Sequence, residues 1–174
     1  MIKELSEKIS SYNLFNNLLP GILFVFIITE LTDFDLILDN NFIGAFFYYF
    51  VGMIISRLGS LITEPILKWM KFVKFTDYKD YLIACEKDSK IDLLSEGNNM
   101  FRTSVTLFVV ILLTVAYDRI AIRFCIPLEI TSICVIIGLL VLFIFSYRKQ
   151  TNFIRKRVEK QISNNLEHRS TLEH

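Results

Sequence analysis

The residues that most often carry catalysis or bind metals are few in this chain and far apart. The three cysteines form no Cys-x-x-Cys pair, and two histidines are too few for a zinc site of ordinary spacing. The chain also lacks a glycine-rich phosphate loop, a His-Glu-x-x-His motif and a Gly-x-Ser-x-Gly motif. We therefore expect no metal, no cofactor and no enzymatic activity. The cysteines and histidines concerned are Cys85, Cys125, Cys134, His168 and His174.

Small and polar residues recur at helical spacing between positions 45 and 63. Steps of three and four residues place them on one face of a helix, and small side chains let membrane helices approach closely. Such a face is typical of packing against a neighbouring helix or subunit, and hydroxyl groups that line an oligomeric pore would give the same pattern. The predicted helix-packing or pore-lining face consists of Ala45, Tyr49, Gly52, Ser56, Gly59, Ser60 and Thr63.

Two charged residues stand near the end of this face. Arg57 and Glu64 are seven residues apart, so they share one side of a regular helix. An arginine there can extend its side chain to the lipid headgroups, which is the ordinary interpretation. The alternative is a ring of arginines, one from each subunit, that acts as an electrostatic gate or binds lipid phosphate.

A proline lies inside the first apolar segment. Pro20 removes one backbone hydrogen bond and favours a kink, and Gly21 follows it directly. The favoured interpretation is a helix that enters the bilayer from an interfacial segment, because an apolar stripe precedes it. A hinge for gating at Pro20 and Gly21 is the alternative. The stripe consists of Ile2, Leu5, Ile9 and Tyr12.

Lysine and arginine cluster after residue 63 and again after residue 147. In both stretches apolar residues alternate with the bases, as in amphipathic helices at the headgroups, where each base contributes about 1 kcal/mol of binding. RNA or a protein is the other possible partner of the tail, but its bases are not interleaved with stacking aromatics, so we expect no direct nucleic-acid contact. The predicted contacts with anionic lipid are Lys68, Lys71, Lys74, Arg155, Lys156, Arg157 and Lys160.

Four long apolar segments must position these residues. With 53% hydrophobic residues, the 174-residue chain is too apolar for a soluble domain. About 20 apolar residues cross about 30 Å of hydrocarbon, and only a helix satisfies its own backbone hydrogen bonds there. The sequence therefore predicts an all-α polytopic membrane protein. Its four transmembrane helices are predicted over residues 13–31, 42–63, 103–127 and 131–147.

These segments set the predicted organisation of the chain. Residues 1–63 comprise an N-terminal interfacial helix and a first transmembrane hairpin, and residues 64–102 comprise a short helical cytoplasmic region. Residues 103–147 form a second hairpin, and residues 148–171 form a basic cytoplasmic tail. Residues 172–174 resemble a remnant of a purification tag, so we exclude them from the fold prediction.

Three short helices are predicted within residues 64–102. Glu64-Pro65 indicates a helix restart, and the alternation of bases and apolar residues over 68–75 indicates a basic amphipathic helix. Asp77 and Ser89 are the predicted caps of two further helices, broken near Gly97-Asn98-Asn99.

The positions of lysine and arginine predict the orientation in the membrane. The first connection has three aspartates and no base, whereas residues 64–102 carry seven bases and the chain after residue 147 carries seven more. Arg119 and Arg123 lie on the opposite side, where Asp118 and Glu129 are available to pair with them. Both termini are therefore predicted to lie in the cytoplasm.

The segment from Tyr12 to Gly21 reads YNLFNNLLPG and is followed by four spans, with a basic loop after the second. This layout resembles small membrane proteins encoded beside bacterial antiviral systems, notably accessory proteins of type VI-B CRISPR loci. The resemblance covers the layout of most of the chain and rests on one ten-residue motif. It implies an effector or accessory protein of phage defence that resides in a bacterial inner membrane and acts as a homo-oligomer, and it carries over no catalytic residue.

The sequence leaves three functions open. The first is a homo-oligomer, assembled through the second span, that acts as a regulated pore or perturbs the membrane. The second is a non-conducting scaffold whose loop and tail recruit a soluble defence protein. The third is a small-molecule exporter that depends on Glu30 or Asp118, which is disfavoured because both carboxylates lie at the ends of spans.

Overall fold

The computed structural model describes the backbone of residues 12–172 and the side chains of residues 12–162. The predicted stripe residues Ile2, Leu5 and Ile9 and the end of the chain, with both histidine side chains, lie outside these limits. The described chain forms five helices and no strand, as predicted for an all-α protein. They are α1 (Leu14–Leu31), α2 (Asn41–Trp69), α3 (Tyr78–Lys87), α4 (Lys90–Phe124) and α5 (Leu128–Leu172).

Helices α1, α2, α4 and α5 are each long and apolar enough to cross a membrane. Because the chain reverses between them, residues 32–40 and 125–127 lie together at one end of the bundle, which we call the acidic end. Residues 70–77 lie at the opposite end with the start of α4, and we call this the basic end. Helix α5 continues from the predicted span into the predicted tail without a break.

A core of aliphatic side chains holds α1, α2 and α4 together. Ile28, Ile55, Leu107 and Ile111 are almost fully buried and contact one another. Helix α5 lies at the edge of this three-helix unit. Only 6% of its most apolar window is buried, compared with 33% of the corresponding window in α1. The folded unit is therefore built mainly by three helices, with α5 attached to its side.

Helix α4 is unbroken, so the predicted break near Gly97-Asn98-Asn99 is wrong. One interior glycine costs a helix only about 1 kcal/mol, which does not interrupt a helix of 35 residues. The predicted cap Asp77 is confirmed, because its Oδ1 accepts from the Lys79 N–H at 2.9 Å. The predicted cap Ser89 makes no capping bond, and Asp88 Oδ1 instead accepts from the Lys90 N–H at 2.9 Å.

The predicted amphipathic helix over residues 68–75 is also wrong, because α2 ends at Trp69. Lys71 adopts a left-handed conformation with φ of 58°. The Phe72 N–H then donates to the Leu67 carbonyl, and the Lys71 N–H donates to the Lys68 carbonyl, each at 3.0 Å. This is a Schellman motif, which satisfies the last carbonyls of a helix and turns the chain away from the helix axis.

Two π-turns lie within the span-length helices, at Leu14–Leu18 in α1 and at Gly59–Thr63 in α2. A proline follows each of them, Pro20 in α1 and Pro65 in α2. A proline ring crowds the carbonyl four residues earlier and offers no N–H, and a wider turn relieves that crowding. A new α-helical segment does begin at residue 64, as the predicted restart requires, but the chain remains helical throughout.

Candidate functional site

Helices α1 and α2 cross in backbone contact at Gly21 and Gly52. A Cβ atom on Gly21 would overlap the carbonyl oxygen of Tyr48, and one on Gly52 would overlap the carbonyl oxygen of Asn17. Both positions require the absence of a side chain. The predicted hinge residues Pro20 and Gly21 are buried at this crossing.

Polar side chains join α1, α2 and α4 beside this crossing. The Asn16 amide donates to Ser56 Oγ at 3.1 Å, and its carbonyl oxygen accepts from the Thr103 hydroxyl at 2.9 Å. The Asn17 amide donates to the Tyr49 hydroxyl at 3.3 Å. Asn16, Asn17 and Thr103 are almost fully buried, so the network saturates polar groups that neither lipid nor water can reach.

The predicted face on α2 therefore packs within the chain for most of its length. Tyr49, Gly52 and Ser56 contact α1, as described above. Further along, a Cβ on Gly59 would lie 2.8 Å from Thr106 Oγ1 of α4, and that hydroxyl lies 2.9 Å from Thr63 Oγ1. Ala45, at the other end of the face, is exposed.

Ser60 contacts α5 through its backbone carbonyl. The π-turn leaves this carbonyl without a backbone donor in α2. The Glu64 N–H is used by the Gly59 carbonyl, and the residue five positions after Ser60 is Pro65, which has no N–H. The ammonium of Lys149 supplies the missing donor. Its Nζ lies 2.6 Å from the Ser60 carbonyl oxygen and 2.7 Å from Ser60 Oγ.

Arg57 and Glu64, which are predicted to share one side of the helix, form no ion pair with each other in the described part of the chain. The Glu64 carboxylate accepts from Lys68 Nζ at 2.8 Å and from Arg102 Nη1 of α4 at 2.7 Å. Arg57 is exposed. The π-turn between them adds a residue to the turn, so two positions seven residues apart no longer share one side of the helix.

A cavity of about 910 Å3 opens at the basic end, between α2, α4, α5 and the connection after α2. Glu64 is its single acidic residue, and four aromatic side chains contribute to its wall. One of them, Phe75, has its ring centroid 4.0 Å from Lys68 Nζ. The bases that line it are Lys68, Lys74, Arg102, Lys149 and Lys156, and the aromatic residues are Phe75, Tyr78, Tyr81 and Phe153.

The remaining predicted lipid contacts are partly exposed and partly buried in the structure. Lys71 and Arg155 are exposed away from the cavity, and Arg155 Nε lies 3.5 Å from Glu159. Lys160 is almost buried and donates to Glu86 of α3 at 2.9 Å, so it ties α5 to α3 instead of facing lipid. Arg157 lies beside it.

A second cavity, of about 540 Å3, lies at the acidic end. Its wall contains three carboxyl groups, those of Asp33, Asp35 and Asp118. Asp118 is 3% exposed, and its Oδ2 has no hydrogen-bond partner among the described residues. Glu30, the other carboxylate of the exporter hypothesis, is exposed. Within the described part of the chain, no three histidine, cysteine, aspartate or glutamate side chains are arranged so that they could hold a metal ion.

Comparison with known proteins gives no match to this chain among family models, curated proteins or solved structures.

The sequence identifies the face on α2 but not the residues of α4 and α5 that contact it. The face on α2 is visible as a periodic run of small residues, whereas Thr103, Thr106 and Arg102 appear in the sequence only as ordinary parts of a span and its edge. Lys149 is one base among seven in the tail. Pro65 predicts a carbonyl without a donor four residues earlier, at Leu61, and only the π-turn transfers that need to Ser60.

Proposed function

We propose that the protein is a membrane-resident effector or accessory protein of phage defence that perturbs the membrane as a homo-oligomer, with α5 as the helix through which copies assemble. The defence assignment rests on the resemblance of the Tyr12–Gly21 segment and the four-span layout. The observation that carries the assembly part is the small fraction of α5 that packs on its own chain.

The interior of the three-helix unit gives little support to a pore lined by α2. Its hydroxyl and amide groups are bonded to one another, so water would reach them only if α1, α2 and α4 separated. Association through a different surface is compatible with the packed unit. Helix α5 offers such a surface, because no other part of the described chain comes within 4 Å of the Cβ position of Gly138. A small residue in open space permits another helix to approach closely.

A glycine substitution tests this proposal without disturbing the protomer. Gly138→Leu meets open space within the chain, so the chain should fold while close helix approach at α5 is blocked. Gly97→Leu is a matched control, because its Cβ position is equally free and it lies outside the predicted spans. The expected result is that Gly138→Leu lowers the oligomer mass in detergent and abolishes depolarisation on induced expression, whereas Gly97→Leu changes neither. Unchanged oligomer mass and depolarisation in Gly138→Leu would show that copies do not assemble through α5.

A non-conducting scaffold is the second candidate. The observation that favours it is the continuation of α5 past the bundle with an exposed basic surface, including Arg155. Such a helix could recruit a soluble acidic partner. The scaffold hypothesis predicts that the wild-type chain causes no depolarisation even with the other defence components and phage present, and that Arg155→Glu reduces protection from phage.

A further inference from the structure

The cavity at the basic end holds more positive charge than its own acid can neutralise. Five bases and one carboxylate line it, which leaves a formal charge of +4. Both oxygens of Glu64 are already occupied, Oε1 by Lys68 and Oε2 by Arg102. The carboxylate therefore has little capacity left for the other lysines.

Three of the bases form no ion pair in the part of the chain that the structure describes. Within residues 12–162, Lys74, Lys149 and Lys156 make no ion pair with a carboxylate. Lys149 is held by uncharged oxygens of Ser60, and the nearby Glu64 carboxylate attracts its charge without forming an ion pair with it. Like charges gathered around one concave wall repel one another and focus an attractive field on anions.

We propose that this cavity binds a phosphate-bearing anion. A phosphate monoester carries between about one and a half and two negative charges, and a phospholipid phosphodiester carries a single one. Both accept several hydrogen bonds, which matches lysines and an arginine that converge on one space. The volume of about 910 Å3 is sufficient for a phosphate together with an attached organic group. Phe75, Tyr78 and Phe153 provide apolar surface for that group.

Two sources could supply the phosphate at this position. The cavity lies where α2 and α5 leave the predicted hydrocarbon region, so the headgroup of an anionic phospholipid and a soluble phosphate compound both have access to it. Binding at this cavity is independent of whether the protein permeabilises a membrane, and it is measured without a membrane-potential assay.

The experiment compares two double substitutions in the full-length chain. Lys74→Gln with Lys156→Gln removes two exposed bases that line the cavity. Lys79→Gln with Arg148→Gln removes the same charge from exposed positions that do not line it but adjoin the lining residues Tyr78 and Lys149. Neither pair contributes to the buried core, and thermal unfolding in phosphatidylcholine nanodiscs verifies that both variants fold.

Two measurements separate the sources of phosphate. Calorimetric titration with inorganic pyrophosphate, in pure phosphatidylcholine nanodiscs, measures binding of a soluble phosphate. Native mass spectrometry of protein released from mixed phosphatidylcholine and phosphatidylglycerol bilayers measures retained anionic lipid. We expect saturable binding or retention in at least one arm, weakened about tenfold or more in the cavity variant and less than about twofold in the control. Equal weakening in both variants, or no specific binding in either arm, would overturn the proposal.

Discussion

Lys149→Met should detach α5 from α2 more than any other single change in the predicted tail. Methionine keeps the length and the apolar stem of lysine but donates no hydrogen bond. The substitution removes the contacts of 2.6 and 2.7 Å to Ser60 and leaves the Ser60 carbonyl without a donor, because Pro65 has no N–H. The lost hydrogen bonds from the charged ammonium and the unpaired carbonyl should together account for the effect.

The magnitude follows from the bonds that are lost. A hydrogen bond to a charged group contributes about 1.5 to 3 kcal/mol, and water can partly replace it at a half-buried site. We therefore expect about 2 kcal/mol for local detachment of α5, which is roughly a thirtyfold higher population of the detached state. The remaining contacts, such as the stacked rings of Phe50 and Phe143 with centroids 6.0 Å apart, should still hold the helix in most molecules.

Hydrogen exchange in nanodiscs measures this detachment. Amides of α5 near Lys149 and amides of the π-turn in α2 should exchange faster in Lys149→Met, whereas those around Ile28 and Leu107 should be unchanged. Arg148→Met is the control, since Arg148 is exposed beside Lys149 and makes no such contact among the described residues. Equal exchange at the π-turn in the wild type and in Lys149→Met would refute the assignment of Lys149 as the missing donor.

Three further predictions concern separate parts of the molecule. Gly52→Ala should destabilise the chain by about 3 kcal/mol in thermal unfolding, because its Cβ would overlap the Asn17 carbonyl, whereas Gly138→Ala should be neutral or slightly stabilising. Asp118→Leu should raise the melting temperature, because it removes a buried oxygen that has no partner among the described residues. Leaving such an oxygen unpaired typically costs about 1–3 kcal/mol, and a lower melting temperature would contradict this prediction. Burial raises the pKa of Tyr81 to about 12 from 10.0, so the stability contributed by its protonated phenol should be complete below pH 10 and be lost between about pH 10 and 12. Tyr81→Phe should remove that loss in alkaline unfolding experiments.

The sequence predicts the helices better than it predicts their ends. Long apolar segments leave the backbone no alternative to a helix, so the four span-length helices are found where they are predicted. The segment after α2 is different, because its amphipathic pattern suits a helix but the left-handed Lys71 ends the helix first. Lysine carries no marked preference for that conformation, so the sequence alone does not locate the end.

The α2 face illustrates why periodicity locates a site but does not determine its role. Spacing identifies Gly52 and Ser56 as members of one surface, and both packing and a pore remain compatible with it. The choice depends on Asn16, whose side-chain amide donates to Ser56 and accepts from Thr103, two residues that are distant from it in sequence. Such a pairing over 87 residues has no local signature.

Pro20 and Pro65 connect the fold to the proposed function. Each follows a π-turn, and each π-turn presents polar groups to another helix: Asn16 in α1 bonds to α2 and α4, and Ser60 in α2 bonds to α5. The first connection is buried within the three-helix unit, so breaking it would require the unit to open. The second rests on one flexible lysine at the wall of a positively charged cavity. An anion in that cavity would compete with Ser60 for Lys149, and the attachment of α5 is therefore the contact most readily altered by a ligand without unfolding the rest of the chain.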